Sequence, residues 1–174
     1  MIGRVTLVGY RAVGKSTIGR LLARDLDLPF EDADQVLEQG QGQPIPAIFA
    51  RHGERTFRDL ETTTLMNLLA GERPMVLATG GGAILREVNR TLLSRRGGTV
   101  IYLHAPVEVL QERLRRNAGQ RPSLTGAPVA DEVPAILALR DPLYRAVATQ
   151  VVEVTGDQLT TLEAVRRVLD SRPS

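Results

Sequence analysis

The only lysine in the chain, Lys15, stands in Gly9-Tyr10-Arg11-Ala12-Val13-Gly14-Lys15-Ser16, and Thr17 follows. The spacing Gly-x4-Gly-Lys-Ser is that of a loop whose backbone N–H groups cradle phosphates. Every other member of the 22 Lys+Arg residues is arginine, so a general bias toward arginine is broken at this one place. The chemistry gives a reason. A compact ammonium touches β- and γ-phosphate oxygens where a planar guanidinium is too large. Ala12, Val13 and Gly14 supply backbone donors, and Ser16 and Thr17 supply hydroxyls, Ser16 being placed to ligate Mg²⁺. The loop therefore points to a nucleotide triphosphate, with Lys15 as its catalytic cation.

Three further sets carry chemistry. Asp32 and Asp34 are two residues apart, and on an extended segment they share a face. One carboxylate could support magnesium while the other takes a hydroxyl proton; equally, either could cap the helix that follows. Gly80-Gly81-Gly82 allows a backbone to lie close against a ligand, or forms a plain strand-to-helix turn. Arg58, Arg121 and Arg140 suit an anion through forked contacts. Read singly they are equally surface residues, and Arg58 has Glu54 and Glu61 at helical pairing distance. His52 and His104 fit no triad or metal spacing and read as structural or surface residues.

These residues need a scaffold that brings strand ends together. Short apolar runs at 4–8, 29–32, 75–79, 99–104 and 150–154 read as strands. Helical patterns cover 15–26, 33–40, 45–51, 54–70, 86–96, 106–116, 131–147 and 158–170, with Asp131 and Asp157 as starts of the last two. This alternation is that of an α/β protein with a parallel sheet covered on both faces, a three-layer αβα sandwich of five strands. At 174 residues the chain reads as a single domain, 1–174. Residues 33–72 form an inserted substrate region, and 117–130, rich in turn formers, form a lid. No stretch reaches the length of a membrane span, and the N-terminus enters a strand without a leader pattern, so a cytoplasmic protein is expected. Zero cysteines exclude disulfides and thiolate metal sites. A net charge of +2, three tyrosines, three phenylalanines and no tryptophan give no base-stacking platform, so nucleic acid is not an expected partner. The absence of an apolar seam favours a monomer.

Taken together, Gly9–Thr17, Phe30–Asp34, Phe49, Gly53–Glu61, Ala78–Gly82, Arg121–Leu124 and Arg140–Tyr144 resemble the shikimate kinase family, over nearly the whole chain. The resemblance implies a phosphate-loop fold of the nucleoside-monophosphate-kinase type. It also implies Mg²⁺-dependent transfer of the ATP γ-phosphate to the 3-hydroxyl of shikimate, in the route to aromatic amino acids. By the same resemblance Asp34 holds the shikimate hydroxyls and orients or deprotonates the attacking one, and Arg58 and Arg140 grip the carboxylate. Gly80, Gly81 and Gly82 line the ring, Ser16 and Asp32 serve the metal, and Arg121 contacts ATP and neutralises the transferring phosphoryl group. Phe49 and Phe57 shape the pocket, and an arginine of 113–116 lies against adenine. Two positions depart from the family pattern: Ala12 where glycine is usual, and Ser123 where the lid is apolar. Alanine at a position needing positive φ would carry strain. A gluconate kinase would share the loop without this combination. A non-catalytic nucleotide-binding regulator is not what retained Lys15, Asp34 and Arg121 suggest.

Overall fold

The computed structural model describes residues 3–116 and 128–171. Five strands, β1 (Arg4–Val8), β2 (Phe30–Asp32), β3 (Met75–Ala78), β4 (Thr99–His104) and β5 (Gln150–Glu153), form one sheet in the order β2-β3-β1-β4-β5. Every pairing is parallel; Thr6 of β1 stands opposite both Leu77 of β3 and Val100 of β4. Consecutive parallel strands need crossovers, supplied among the described residues by α1 (Lys15–Asp25), α2 (Ala33–Gln41), α3 (Ile45–Leu68), α4 (Glu87–Arg96), α5 (Val107–Arg116) and α6 (Val133–Val147), while α7 (Gln158–Asp170) follows the last strand.

The central strand is buried along its whole length, so its alternate side chains feed two separate cores. Val5 and Leu7 pack with Ile18 and Leu22 of α1, Leu110 and Leu114 of α5, and Val165 and Leu169 of α7. Val8 packs on the opposite face with Leu77, Tyr102, Leu65 of α3, Leu93 of α4 and Tyr144 of α6. Burying both faces of a parallel sheet is what makes the strands read as unbroken apolar runs. A third, small cluster of Leu37, Ile48 and Phe57, with Phe49 against it, ties α2 to α3.

Strand positions agree with the sequence to within a residue. The helices differ in three instructive places. The patterns at 45–51 and 54–70 join into α3, broken only at Gly53, whose φ of 76° and ψ of 173° are non-helical. The glycine triplet does not run directly into a helix at 86: Ala83–Leu85 first makes a 3₁₀ turn, and α4 starts at Glu87. Asp131 does not cap α6. Its N–H is used in a turn to the Pro128 carbonyl, and Glu132 precedes the helix without a side-chain capping bond. Asp157 does cap α7, accepting from the Thr160 N–H at 2.8 Å. No helix among the described residues is long and apolar enough to cross a membrane.

Candidate active site

In a parallel sheet, loops at the carboxyl ends of the strands share one edge, and a ligand site forms where the order reverses. Here β1 is that place: β2 and β3 lie on one side of it, and the chain then passes from β3 to β4 and β5 on the other. A cavity of about 780 Å³ opens at this edge. Its wall includes the phosphate loop from Arg11 to Thr17, Asp32 at the end of β2 and Asp34 just beyond, Thr79 and Gly81 after β3, Arg113 of α5, and Val154, Asp157, Gln158, Leu159 and Thr161 beyond β5.

The loop has the conformation a phosphate cradle requires. Gly9 has φ 149°, and a Cβ there would lie 2.6 Å from the Leu103 carbonyl oxygen, so glycine is required. Gly14 at φ 109° is the N-cap of α1, which leaves the first N–H groups of the helix facing the cavity without a side-chain cap. The buried Lys15 ammonium folds over the loop and donates to the Gly9 and Tyr10 carbonyls at 2.8 and 2.9 Å. Ala12 has φ 66°. The strain expected of alanine in a left-handed position is therefore present, worth about 1–2 kcal/mol. Arg113 Nη1 donates to the Val13 and Ala12 carbonyls at 2.8 and 3.3 Å. Of the arginines at 113–116 it is the one on the cavity wall; Arg115 and Arg116 are exposed, and Arg116 pairs with Glu112.

Asp32 satisfies both readings of its position. One carboxylate oxygen caps α2 by accepting the Asp34 and Gln35 N–H groups, at 3.1 and 3.4 Å. The other accepts the Ser16 hydroxyl at 2.5 Å. Two hard oxygens thus meet beside the loop. No cluster of three or more acidic or histidine ligands exists among the described residues. This donor set fits Mg²⁺, which takes one or two protein oxygens and completes its shell with phosphate and water.

The far side of the site is built from side chains. Asp34 lies in the first turn of α2, and Glu61 of α3 reaches the same point: a Cβ on Gly80 would sit 2.7 Å from Asp34 Oδ1 and 2.9 Å from Glu61 Oε1. A Cβ on Gly82 would sit 2.5 Å from Arg58 Nη1, so the guanidinium lies directly on that glycine. Arg58 also pairs with Glu61 at 2.8 Å and Glu54 at 3.3 Å, so the helical-pair reading holds as well. Its guanidinium lies 5.0 Å from the Phe57 ring, and Phe57 packs on Phe49 with ring centroids 4.5 Å apart. The two phenylalanines belong to the small α2–α3 core and fix the height of Arg58. Arg140 of α6 is buried, with Nη1 3.5 Å from the Gly81 carbonyl; the Tyr144 hydroxyl donates to the same oxygen at 2.5 Å. Burial holds the Tyr144 phenol well above its usual pKa, so it stays a donor. Arg58 and Arg140 stand behind the glycine triplet, outside the wall of the main cavity, while Asp34 and Gly81 belong to that wall.

A phosphate loop thus faces a pocket whose wall carries carboxylate and guanidinium groups. The shikimate kinase family model matches residues 11–171. A shikimate kinase of Nitratidesulfovibrio vulgaris is 48% identical over 168 residues, covering 95% of each chain. One from Pseudomonas syringae is 44% identical over 169 residues, covering 96% of each. The chain belongs to the shikimate kinase family. Its structure superimposes on a shikimate kinase from Acinetobacter baumannii in complex with shikimate with a TM-score of 0.90 at 36% identity, covering 100% of this chain and 97% of the other. A gluconokinase from Sinorhizobium meliloti, at 20% identity and TM-score 0.60, shares the fold alone. As a member of the shikimate kinase family the chain is an ATP-dependent phosphotransferase with a phosphate-loop nucleotide site.

Several residues of the site are not singled out by sequence spacing. Glu61 is buried beside Gly80, and that burial raises its carboxyl pKa against the opposing effect of Arg58. Its position three residues after Arg58 was the available signal. Tyr10 and Tyr144 are buried under the site, and Glu132 reaches it from the start of α6 through an ion pair with Arg11. His52 is exposed, and His104 Nδ1 lies 2.6 Å from Glu153. Arg121, Ser123 and residues 117–127 of the expected lid lie outside the described residues.

Proposed function

We propose that this enzyme transfers the γ-phosphate of ATP to the 3-hydroxyl of shikimate, giving shikimate 3-phosphate and ADP. The observation that carries the reading is the continuity of the two half-sites. The phosphate loop abuts Gly81 and shares its cavity with Asp34, which meets Glu61 at Gly80, while Arg140 and Arg58 stand at Gly81 and Gly82. Shikimate offers matching chemistry: one carboxylate for two arginines, and hydroxyls for a carboxylate.

In this mechanism the backbone N–H groups from Ala12 to Thr17 hold the phosphates, with the positive end of α1 behind them. Lys15 exchanges its two carbonyl partners for β- and γ-oxygens and follows the charge as it moves to the leaving ADP. Ser16, with Asp32 behind it, would hold Mg²⁺, whose charge neutralises the phosphates. Arg58 and Arg140 orient the acceptor by its carboxylate, and Gly80–Gly82 let the ring lie against backbone. Asp34 accepts the proton of the attacking hydroxyl, and Glu61 keeps Arg58 in register. Arg121 neutralises charge on the phosphoryl group. The chain acts as a single domain, with 33–72 as its acceptor-binding insertion and 117–130 as its lid, and as a cytoplasmic monomer with no nucleic-acid or membrane partner.

The test of regiochemistry is direct. Incubation with ATP, Mg²⁺ and shikimate should give one new phosphomonoester ³¹P resonance coupled to H3 of the ring. Coupling to H4 or H5 instead would overturn the assigned acceptor hydroxyl.

A further inference from the structure

Arg11 forms an ion pair with Glu132, and both charges are withdrawn from water: the Arg11 side chain is 11% exposed and the Glu132 side chain 1%. Such a pair is poor evidence for stability, because desolvating two ions offsets much of their attraction; its better-attested use is to fix register. The register it fixes here is specific. Arg11 immediately precedes Ala12, the alanine held at φ 66°. Glu132 makes no capping bond to α6 and instead reaches across to the phosphate loop. From α5, Arg113 grips the carbonyls of Ala12 and Val13. On the remaining side, the Arg11 N–H abuts Gly81, where a Cβ would come within 3.2 Å. The loop is therefore held at residues 11–13 from α5, α6 and the glycine triplet together.

A free alanine favours right-handed backbone. If Ala12 relaxed that way, the peptide between Ala12 and Val13 would rotate, and the Val13 and Gly14 N–H groups would turn away from their common focus. We propose that Arg11 and Glu132 are positioning residues that hold Ala12 in its left-handed conformation, making an alanine-containing phosphate loop competent for nucleotide. The inference rests on the loop being the nucleotide site, so ADP binding to the unaltered enzyme is measured alongside.

The test is a cycle between positions 12 and 132 in the full chain, read by calorimetric binding of MgADP and by steady-state KM for both substrates. Glu132→Gln should weaken ADP about tenfold, raise the ATP KM in parallel, and leave the shikimate KM within about twofold. Ala12→Gly, which accepts positive φ without strain, should restore most of the loss in the Glu132→Gln background, the double variant being compared with Ala12→Gly alone. A second variant, Arg11→Met with Glu132→Met, removes both charges and so avoids stranding either one in the interior. It should melt within a few degrees of the parent and show the same tenfold loss, again recovered by Ala12→Gly. Unchanged ADP affinity in either variant, or a loss that glycine at position 12 fails to restore, overturns the proposal. Failure of the unaltered enzyme to bind ADP would instead refute the loop assignment.

Discussion

The two ends of the site are made in different ways. The nucleotide end is one continuous stretch from Gly9 to Thr17, in which strand, loop and helix follow each other and most of the donors are backbone. The acceptor end is assembled from α2, α3, the glycine triplet and α6, and its working side chains run from Asp34 to Arg140 in sequence. A backbone site depends on φ/ψ and spacing, so it tolerates a change such as Ala12 when neighbouring groups hold the conformation. A side-chain site depends on packing: Arg58 is where it is because Phe57, Phe49 and the α2–α3 core set its height.

This contrast can be broken by substitutions that act on one end and are read at both. The largest effect is expected of Lys15→Met. Turnover should fall by on the order of a thousandfold or more, with shikimate affinity within about twofold by calorimetry. A comparable loss of shikimate affinity would show that the two ends are not separable. Asp34→Asn should lower kcat by roughly a hundredfold, with the ATP KM little changed; an effect on ATP KM alone would remove Asp34 from proton transfer. Arg58→Ala and Arg140→Ala should each raise the shikimate KM by the equivalent of roughly 2–3 kcal/mol, since a desolvated carboxylate loses a partner. An unchanged shikimate KM would exclude that arginine from the acceptor pocket.

A finer effect concerns pH. Burial raises the Glu61 pKa in the folded enzyme. In the window between the unfolded and folded values, the native state holds more protons than the unfolded one, so this group's contribution to stability is present at low pH and lost as pH rises through the raised pKa. The Tm of the parent relative to Glu61→Gln should therefore decline as pH rises across that window. A difference that grows with pH would contradict the burial argument. The smallest change is expected of Ala12→Gly, where relief of left-handed strain and the added entropy of glycine nearly cancel; Tm should move by no more than a few degrees.

The same contrast explains what the sequence disclosed. The inner strands β1, β3 and β4 were legible because both faces are buried and their residues are mostly apolar. The phosphate loop was legible because Lys15 and its glycines lie within one short window. Asp32 could not be assigned from spacing, and the structure shows why: one carboxylate does both jobs, capping α2 and holding Ser16. Arg58 was ambiguous for the same reason, paired along its own helix and resting on Gly82. The 3₁₀ turn at Ala83–Leu85 and the late start of α6 follow from local backbone bonds that carry no periodic pattern. Glu132 was invisible because its partner lies 121 residues away.

The central claim is that both ends serve one reaction. Its most direct test is ADP release by the purified enzyme with ATP and Mg²⁺, measured with shikimate, with gluconate and with neither. Release should be rapid and dependent on shikimate, with a near-background rate with gluconate. Release driven by gluconate, or measurable ATP binding with no stimulation by shikimate, would contradict it.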